Sequence, residues 1–382
     1  MTPRSKRDML RAVHPRYQKA NREAKSRILD EFCATTRYHR KYAIHLLNRP
    51  VEEVSELRPR RRGHTYSIEV VGVLARIWEA AGYPWSVRLK AMIPLWLPWA
   101  RNHIKGLTAE IERQLLKMSP RQMDRRLSQR KKVLGRRIYG RTKPGTLLKH
   151  HIPIKTHCWD VKTAGFAEID LVSHSGSNAS GQFIYSLNLT DIDTTWVETA
   201  AVMGKGQKGV VSALADIQRS LPFPLRGVDS DNGSEFLNHH LYAYCQEQGI
   251  QFTRSRPYKK DDNAHIEQKN WTHVRKLLGW DRYDSHKALE AINGLYRNEL
   301  RLMMNLFQPS VKLMHKTRVG SRLRRHYDQP QTPLDRLRAS KVGKSKKAAA
   351  LTQMRNKIDP FELSRSIERK LKLIYELAKY SR

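Results

Sequence analysis

The rhythm of the chain changes near Trp159, and that change limits its architecture more than any other feature. The segments "GFAEIDLVS", "QFIYSLNLT" and "TWVETAAVM" read as three consecutive strands with tight connections, a meander. "QKGVVSALADIQRSL" then has Val210, Val211, Leu214 and Ile217 on one helical face. "LRGVDS" is a short strand, "SEFLNHHLYAYCQEQG" a helix, "IQFTRS" another short strand and "DDNAHIEQKNWTHVRKLLG" a long helix. The order β-β-β-α-β-α-β-α predicts an α/β core: a mixed five-stranded sheet flanked by helices.

Three acids stand out inside this pattern. Asp170 lies mid-strand in "AEIDLVS". Alternation puts Ile169 and Leu171 on one face and Asp170 on the other. A carboxylate there is unfavourable unless something pairs with it. Asp231 follows "GVDS" at the end of the fourth strand, where Asn232-Gly233 permits a sharp turn. Glu267 falls in the first turns of the long helix, with 35 residues between it and Asp231. Asp229 is the rival of Asp231, since both can share a strand face. Glu235 reads as a first-turn residue favoured by the helix dipole. Asp261 and Asp262 read as helix caps, and Asp191 and Asp193 as strand-connection residues.

Charge is distributed in the opposite sense around these acids. The chain carries a formal net charge of +36 over 382 residues. Between Thr156 and Ser285 there are 13 Lys and Arg against 16 Asp and Glu, a net of −3. The remainder holds 59 cations and 20 acids, a net of +39. A near-neutral centre between cationic flanks suits a polyanion partner and argues against a ribosomal or membrane-surface role. Cys33, Cys158 and Cys245 are too far apart and too few for a metal pair or a disulfide framework. A reducing cytosol is the expected location. No apolar run is long enough for a membrane span, and the basic start lacks the apolar core of an export signal.

The flanks divide into further blocks. Residues 1–62 read as a helix-turn-helix domain. "ANREAKSRILDEFCATT" faces Ala24, Ile28, Leu29 and Phe32 inward, and "YHRKYAIHLLNRP" does so with Tyr42, Ala43, Leu46 and Leu47. Arg37, His39, Arg40 and Lys41 are then offered to DNA; an ordinary helical hairpin with solvated charges is the plain alternative. Residues 63–133 read as a second helical DNA-binding domain. In "MSPRQMDRRLSQRKKV", Ser119 caps, Pro120 opens the helix, Gln122 completes a capping box and Met118 and Met123 form a hydrophobic staple. Arg121, Arg125, Arg126, Arg130, Lys131 and Lys132 crowd its outer side, where they repel one another without a polyanion. Residues 134–155 are a basic linker, 156–285 the α/β core, and 286–382 a mostly helical basic C-terminal region. In that last region "RVGSRLRRHYD" suggests a strand pair and "GKSKKAAALTQMRNK" a solvated helix or linker. In the final helix, Leu363, Ile367, Leu371 and Ile374 form an apolar stripe that suits core packing or a partner helix.

Taken jointly, "EIDLVS" around Asp170, "SDNGSEF" around Asp231 and "DDNAHIEQKN" around Glu267 give the 156–285 segment a family resemblance. It resembles the catalytic core of retroviral integrases and of the DDE transposases of bacterial insertion sequences. The third motif has that family's Asn, apolar residue, Glu and polar run, and the 35-residue gap is the one its name records. The resemblance implies an RNase H-like fold and makes Asp170, Asp231 and Glu267 the catalytic and metal-binding residues. Preference for Asp231 over Asp229 rests on the "DNG" match. Two departures stand out. The zinc domain of retroviral integrases is absent, since only Cys33 precedes Cys158. The positions four and seven residues after Glu267, basic in integrases, hold Trp271 and Val274.

The implied chemistry suits the residue types. Phosphodiester hydrolysis and transesterification build up negative charge, and two divalent ions stabilise both the attacking and the leaving oxygen. Hard carboxylate oxygens suit Mg²⁺, with Mn²⁺ a substitute. Asp170 would bridge two ions, with Asp231 and Glu267 completing one site each. Without metal, three converging carboxylates repel and raise one another's pKa. Asn263 and Asn270 flank Glu267 by four and three residues, so both can share its helix face and orient ligands or DNA. The expected activity is that of a DNA transposase. It binds terminal repeats, hydrolyses the element end and joins the 3′-OH to target duplex DNA, acting as a homodimer or higher oligomer. An RNase H-like nuclease or resolvase without strand transfer, and a transposase-derived DNA-binding regulator, are the other readings.

Overall fold

The computed structural model describes residues 1–49, 66–134, 163–230, 236, 239–254, 266, 269–319, 322–340, 342 and 345–378. The chain divides into two compact units, Met1–Thr65 and Tyr66–Arg382. The expected linker 134–155 lies outside the described residues apart from Leu134.

The first unit is built from α1 (Pro3–Lys19), α2 (Arg22–Thr36) and α3 (Arg40–Leu47). Its helix starts are capped as its sequence dictates: Thr2 accepts from the Ser5 amide and Asn21 from the Ala24 amide. Leu10, Tyr17, Leu29, Phe32, Ala43, Leu46 and Leu47 form its core. Arg37 stops α2 in the left-handed region at φ 56°, and its N–H returns to the Cys33 carbonyl. Tyr42, expected on the inner face, is exposed instead. It packs edge-on against Tyr38, with centroids 5.0 Å apart, because Ala43, Leu46 and Leu47 already fill the inner side of this short helix.

In the second unit, α4 (Ile68–Ala80), α5 (Ser86–His103), α6 (Ala109–Lys117) and α7 (Pro120–Leu134) lead into β1 (Phe166–Ser173), β2 (Ile184–Asp191) and β3 (Val197–Met203). Next come α8 (Gln207–Ser220), β4 (Gly227–Ser230), α9 (His239–Glu247) and β5 (Gln251–Arg254). The sheet order is β3-β2-β1-β4-β5. β1 pairs antiparallel with β2 and parallel with β4, β2 pairs antiparallel with β3, and β4 parallel with β5. A three-strand meander extended by two parallel strands through helical crossovers is the RNase H-like arrangement, with β1 at the centre. The expected α/β core is therefore present, flanked by helices on both sides in sequence.

The long helix expected over 261–279 is described only from its middle onward. Asn270–Arg275 is π-helical and runs into α10 (Lys276–Leu278). A single wide turn of this kind recurs at functional sites. After it, α11 (His286–Leu295) continues through π-helical Tyr296–Leu300 and Met303–Phe307. A two-stranded ribbon of β6 (Leu313–Val319) and β7 (Arg322–Tyr327) follows, then α12 (Pro333–Ala339), α13 (Lys346–Lys357) and α14 (Pro360–Glu376).

One continuous apolar core runs through this unit, from Val70 to Ala378. The stripe of α14 belongs to it: Leu363, Ile367, Leu371 and Ile374 are all buried. Trp96 of α5 meets Phe361 edge-on at 5.0 Å, and His103 meets Asp359 at 2.6 Å. Residues 346–357, expected to be solvated, bury Ala348 and Leu351 in the same core. The Ser119 half of the expected capping box forms, with the Gln122 backbone amide donating to Ser119 Oγ at 3.3 Å, and Met118 and Met123 are fully buried.

Two devices secure the sheet. The outer strand β3 has its backbone satisfied by side-chain amides. Asn293 bonds both the N–H and the C=O of Ala201, and Asn305 does the same for Val197, at 2.8–2.9 Å. These asparagines stand where another strand would, so the edge is closed to other chains. At the entrance to β1, the Gly165 carbonyl accepts from the amides of Arg226 and Gly227, and its N–H donates to Asp191 at 2.8 Å. Asp191 also accepts from the amide and hydroxyl of Thr194. Burial pushes the Asp191 carboxyl up to about 6, against these donors.

Gly165 sits at φ +114°, and a Cβ there would lie 2.4 Å from the Pro224 carbonyl oxygen. Gly165→Ala is expected to destabilise the protein by about 2–5 kcal/mol through backbone strain and overpacking, as read by urea unfolding. Unchanged stability would show that the β1 entrance is not constrained.

Candidate active site

β1 is the central strand, and alternation places Glu168 and Asp170 on one of its faces. Register extends that face to Asp229 of β4, opposite Glu168, and to Asn188 of β2, opposite Asp170. Asn188 in turn stands opposite Thr199 of β3. The face is therefore polar along a line that crosses four strands.

Hydrogen bonds connect this line to the helix that follows β5. Asn270 Nδ2 donates to Asp170 Oδ2 at 2.5 Å. Asn188 Nδ2 donates to Asn270 Oδ1 at 2.9 Å, and Thr199 Oγ1 donates to Asn188 Oδ1 at 3.2 Å. The other Asp170 oxygen accepts from the Leu171 amide at 2.8 Å. Each carboxamide thus passes on the orientation of the next, ending at a half-buried carboxylate. Glu168 is 1% exposed, and its Oε2 accepts from the Ile266 amide at 3.0 Å. Two acids of one strand consequently hold the backbone just before residue 267 and the side chain just after it.

Asp231, Glu267 and Asn263 lie outside the described residues. Their described chain neighbours are Ser230, paired with Ile169 of β1, and Ile266, bound to Glu168. Asp229, the rival acid, is fully buried and accepts from Thr253 Oγ1 at 2.6 Å. Among the described residues, no three His, Cys, Asp or Glu side chains stand close enough to hold a metal ion. Asp170 is the described member of the expected trio, and its hard, half-buried oxygens are the donor type that Mg²⁺ takes.

Cations gather behind the same helix. Lys269 is buried, and burial, then Arg88 and Arg336, pull its ammonium down to about 7. His273 is held well below its ordinary value by burial and then by Lys269. Of the two positions where integrases carry basic residues, Trp271 is exposed and Val274 buried.

The residues expected to contact DNA fall into two groups. In the first unit Arg37, His39 and Lys41 are exposed, and His39 caps α3. Arg40 is turned back onto α2, where it pairs with Asp30 and donates to Ser26 Oγ at 2.9 Å. On α7, Arg121, Arg125 and Lys132 are exposed and Arg126 is half-buried. Arg130 pairs with Glu79 at 3.0 Å, and Lys131 pairs with Asp124 at 2.5 Å.

Sequence reasoning singled out Asp170 and Asn270 but missed Glu168, Asn188 and Thr199. Glu168 was findable, since it is two residues from Asp170 and must share its face. Asn188 and Thr199 needed the cross-strand register. Asn270→Ala is expected to cost about 1–3 kcal/mol of stability in chemical unfolding, because it strands the buried Asn188 amide. A variant as stable as the wild type would show that the amide chain is incidental.

No protein-family model matches the chain. Among solved structures, the catalytic core of BIV integrase is similar at 13% identity and a TM-score of 0.30, covering 45% of this chain and 91% of that one. The HTLV-2 integrase catalytic core in complex with magnesium is similar at 15% identity and a TM-score of 0.29, covering 39% and 91%. The RNase H-like assignment rests on the strand order, not on these scores. A protein of Sinorhizobium fredii (strain NBRC 101917 / NGR234), "Uncharacterized protein y4rM", is 40% identical over 331 residues, which are 86% of this chain and 94% of that protein. At that identity and coverage, the chain belongs to the y4rM family.

Proposed function

We propose that the protein is a polynucleotidyl transferase of the DDE transposase type, with Asp170, Asp231 and Glu267 as its catalytic and metal-binding carboxylates. One observation carries this reading. The central strand bearing Asp170 is hydrogen-bonded on both sides of residue 267, through Glu168 to Ile266 and through Asp170 to Asn270. The RNase H-like strand order and the spacing of "SDNG" and "DDNAHIEQKN" support it. Two Mg²⁺ ions would supply Lewis-acid stabilisation of the attacking and leaving oxygens.

The chain's own groups have separable tasks. Asp170 presents one face of a carboxylate to the site while Asn270 fixes its rotamer. Asn188 and Thr199 hold Asn270, so that fixing does not depend on solvent. Glu168 anchors the start of the helix rather than facing the substrate. The exposed cations of the first unit and of α7 would bind the phosphates of double-stranded DNA, first at the element ends and then at the target. A single site per DNA end implies that two or more protomers act together. In the described residues no helix is long and apolar enough to cross a membrane.

The test supplies duplexes carrying the DNA that flanks the coding sequence, with Mg²⁺ or Mn²⁺, and follows nicked and joined products. The expected result is metal-dependent nicking and joining. Asp170→Asn, Asp231→Asn and Glu267→Gln should each lower it by more than about 100-fold, and Asn270→Ala by about 10–100-fold, as for partners of metal ligands. Nicks without joined products would favour the nuclease. Full activity in Asp231→Asn with loss in Asp229→Asn would move the second carboxylate to Asp229. Metal-independent DNA binding without cleavage would leave a regulator.

A further inference from the structure

The β6–β7 ribbon is separate from the five-stranded sheet, and a lone hairpin is marginal without support. Its support lies at the root. Ser310 and Gln331 exchange backbone hydrogen bonds at 2.8 and 3.1 Å. Asp328 accepts from the Lys312 amide at 2.6 Å and pairs with Arg336, which also donates to the Ser310 carbonyl at 2.7 Å. Ser310 Oγ is 2.9 Å from Thr195 Oγ1, and Lys312 Nζ is 3.6 Å from Asp193 Oδ1. Both partners lie in the turn between β2 and β3. The ribbon is thus fastened to the sheet that carries Asp170.

Beyond the root the composition has one sign. Lys316, Arg318, Arg322, Arg324 and Arg325 fall between Leu313 and Tyr327, with no Asp or Glu among them. Register sets Lys316 opposite Arg325. Among the described residues Arg318 and Arg324 are exposed and make no ion pair. One face carries Thr317 opposite Arg324 and His315 opposite His326. The two rings stack at 4.3 Å, and Thr317 Oγ1 lies 2.9 Å from His326 Nε2. Tyr327, at 50% exposure, continues the strand on its outer surface. Among the described residues, Arg318 and Arg324 of this anchored ribbon have no carboxylate partner.

We infer that the β6–β7 ribbon is a docking arm for duplex DNA that lies in the major groove. A two-stranded ribbon fits a groove about 12 Å wide, and seven residues at ~3.4 Å each span roughly 20 Å of it. Arg318 meets backbone phosphate, and the face of Thr317, Arg324 and the paired histidines meets base edges. This deepens the transposase reading by assigning a DNA contact outside the helical blocks, and it rests on DNA being the substrate.

The experiment measures binding of the full-length protein to a labelled duplex by fluorescence anisotropy, in EDTA so that cleavage plays no part, over a range of salt. The double variant Arg318→Gln/Arg324→Gln is compared with Lys205→Gln/Lys208→Gln, which removes two exposed cations at the start of α8. The expected result is a ten- to hundredfold loss of affinity and a salt slope shallower by about 1–2 in the ribbon variant, with the control near wild type. Methyl green, a major-groove ligand, should compete with the wild-type protein. Equal losses in both variants, or none in the ribbon variant, would overturn the arm while leaving the transposase reading intact. Stronger dependence of the ribbon on anionic phospholipid vesicles than on duplex would overturn it as well. Circular dichroism melting of each variant ensures that a lost signal is not lost folding. If a ribbon variant is unfolded, Arg318→Lys/Arg324→Lys keeps the charge and decides the matter, since loss of the fork alone should weaken binding.

Discussion

The hydrogen bond from Asn270 to Asp170 is the constraint on which the site depends. A carboxylate at the centre of a sheet is costly unless something fixes and satisfies it. Here a carboxamide does so, and that carboxamide is held by a second, which is held by a threonine hydroxyl. The chain runs from β1 to the helix after β5 and back through β2 to β3. It therefore ties sequence positions 170, 188, 199 and 270 into one unit, and Glu168 adds a second tie through Ile266. Side chains locked by packing and hydrogen bonds in this way keep reacting groups within tight geometric limits.

The rest of the molecule protects that arrangement. Asparagine side chains close the β3 edge, so the sheet ends at the site-bearing meander. Gly165 and Asp191 fix the entrance of β1, which sets the register that brings Asp170 opposite Asn188. The N-terminal helices α4–α7 and the C-terminal helix α14 share one core with the sheet, so the flanks act as a frame for it. Lys269, next to Asn270, has its affinity for protons lowered first by burial and then by Arg88 and Arg336.

Much of this was legible in the sequence. Period-two alternation located the five strands, and helical periodicity located the crossovers. Asp170 in an otherwise strand-forming run pointed to the strand whose polar face carries the Asn270, Asn188 and Thr199 hydrogen bonds. Three things were not legible, each for a physical reason. Asn188 and Thr199 matter only through register, which depends on turn geometry two strands away. Arg40, Arg130 and Lys131 look available in sequence, yet Asp30 of the preceding helix, Glu79 of α4 and Asp124 of the same helix pair with them, and which cation each acid takes is set by side-chain geometry rather than by spacing. The stripe of α14 could have met a partner protein; tertiary packing against Trp96 and its neighbours settles it as core. Glu168 is different, since alternation alone puts it on the face of Asp170, yet it was passed over.

Anomalous diffraction from crystals soaked in Mn²⁺ tests the central claim most directly. Manganese is expected within direct coordination distance of the Asp170 carboxylate, about 2.1 Å, with carboxylates of residues 231 and 267 completing its shell. Manganese bound elsewhere while Asp170 keeps only its amide partners would contradict it.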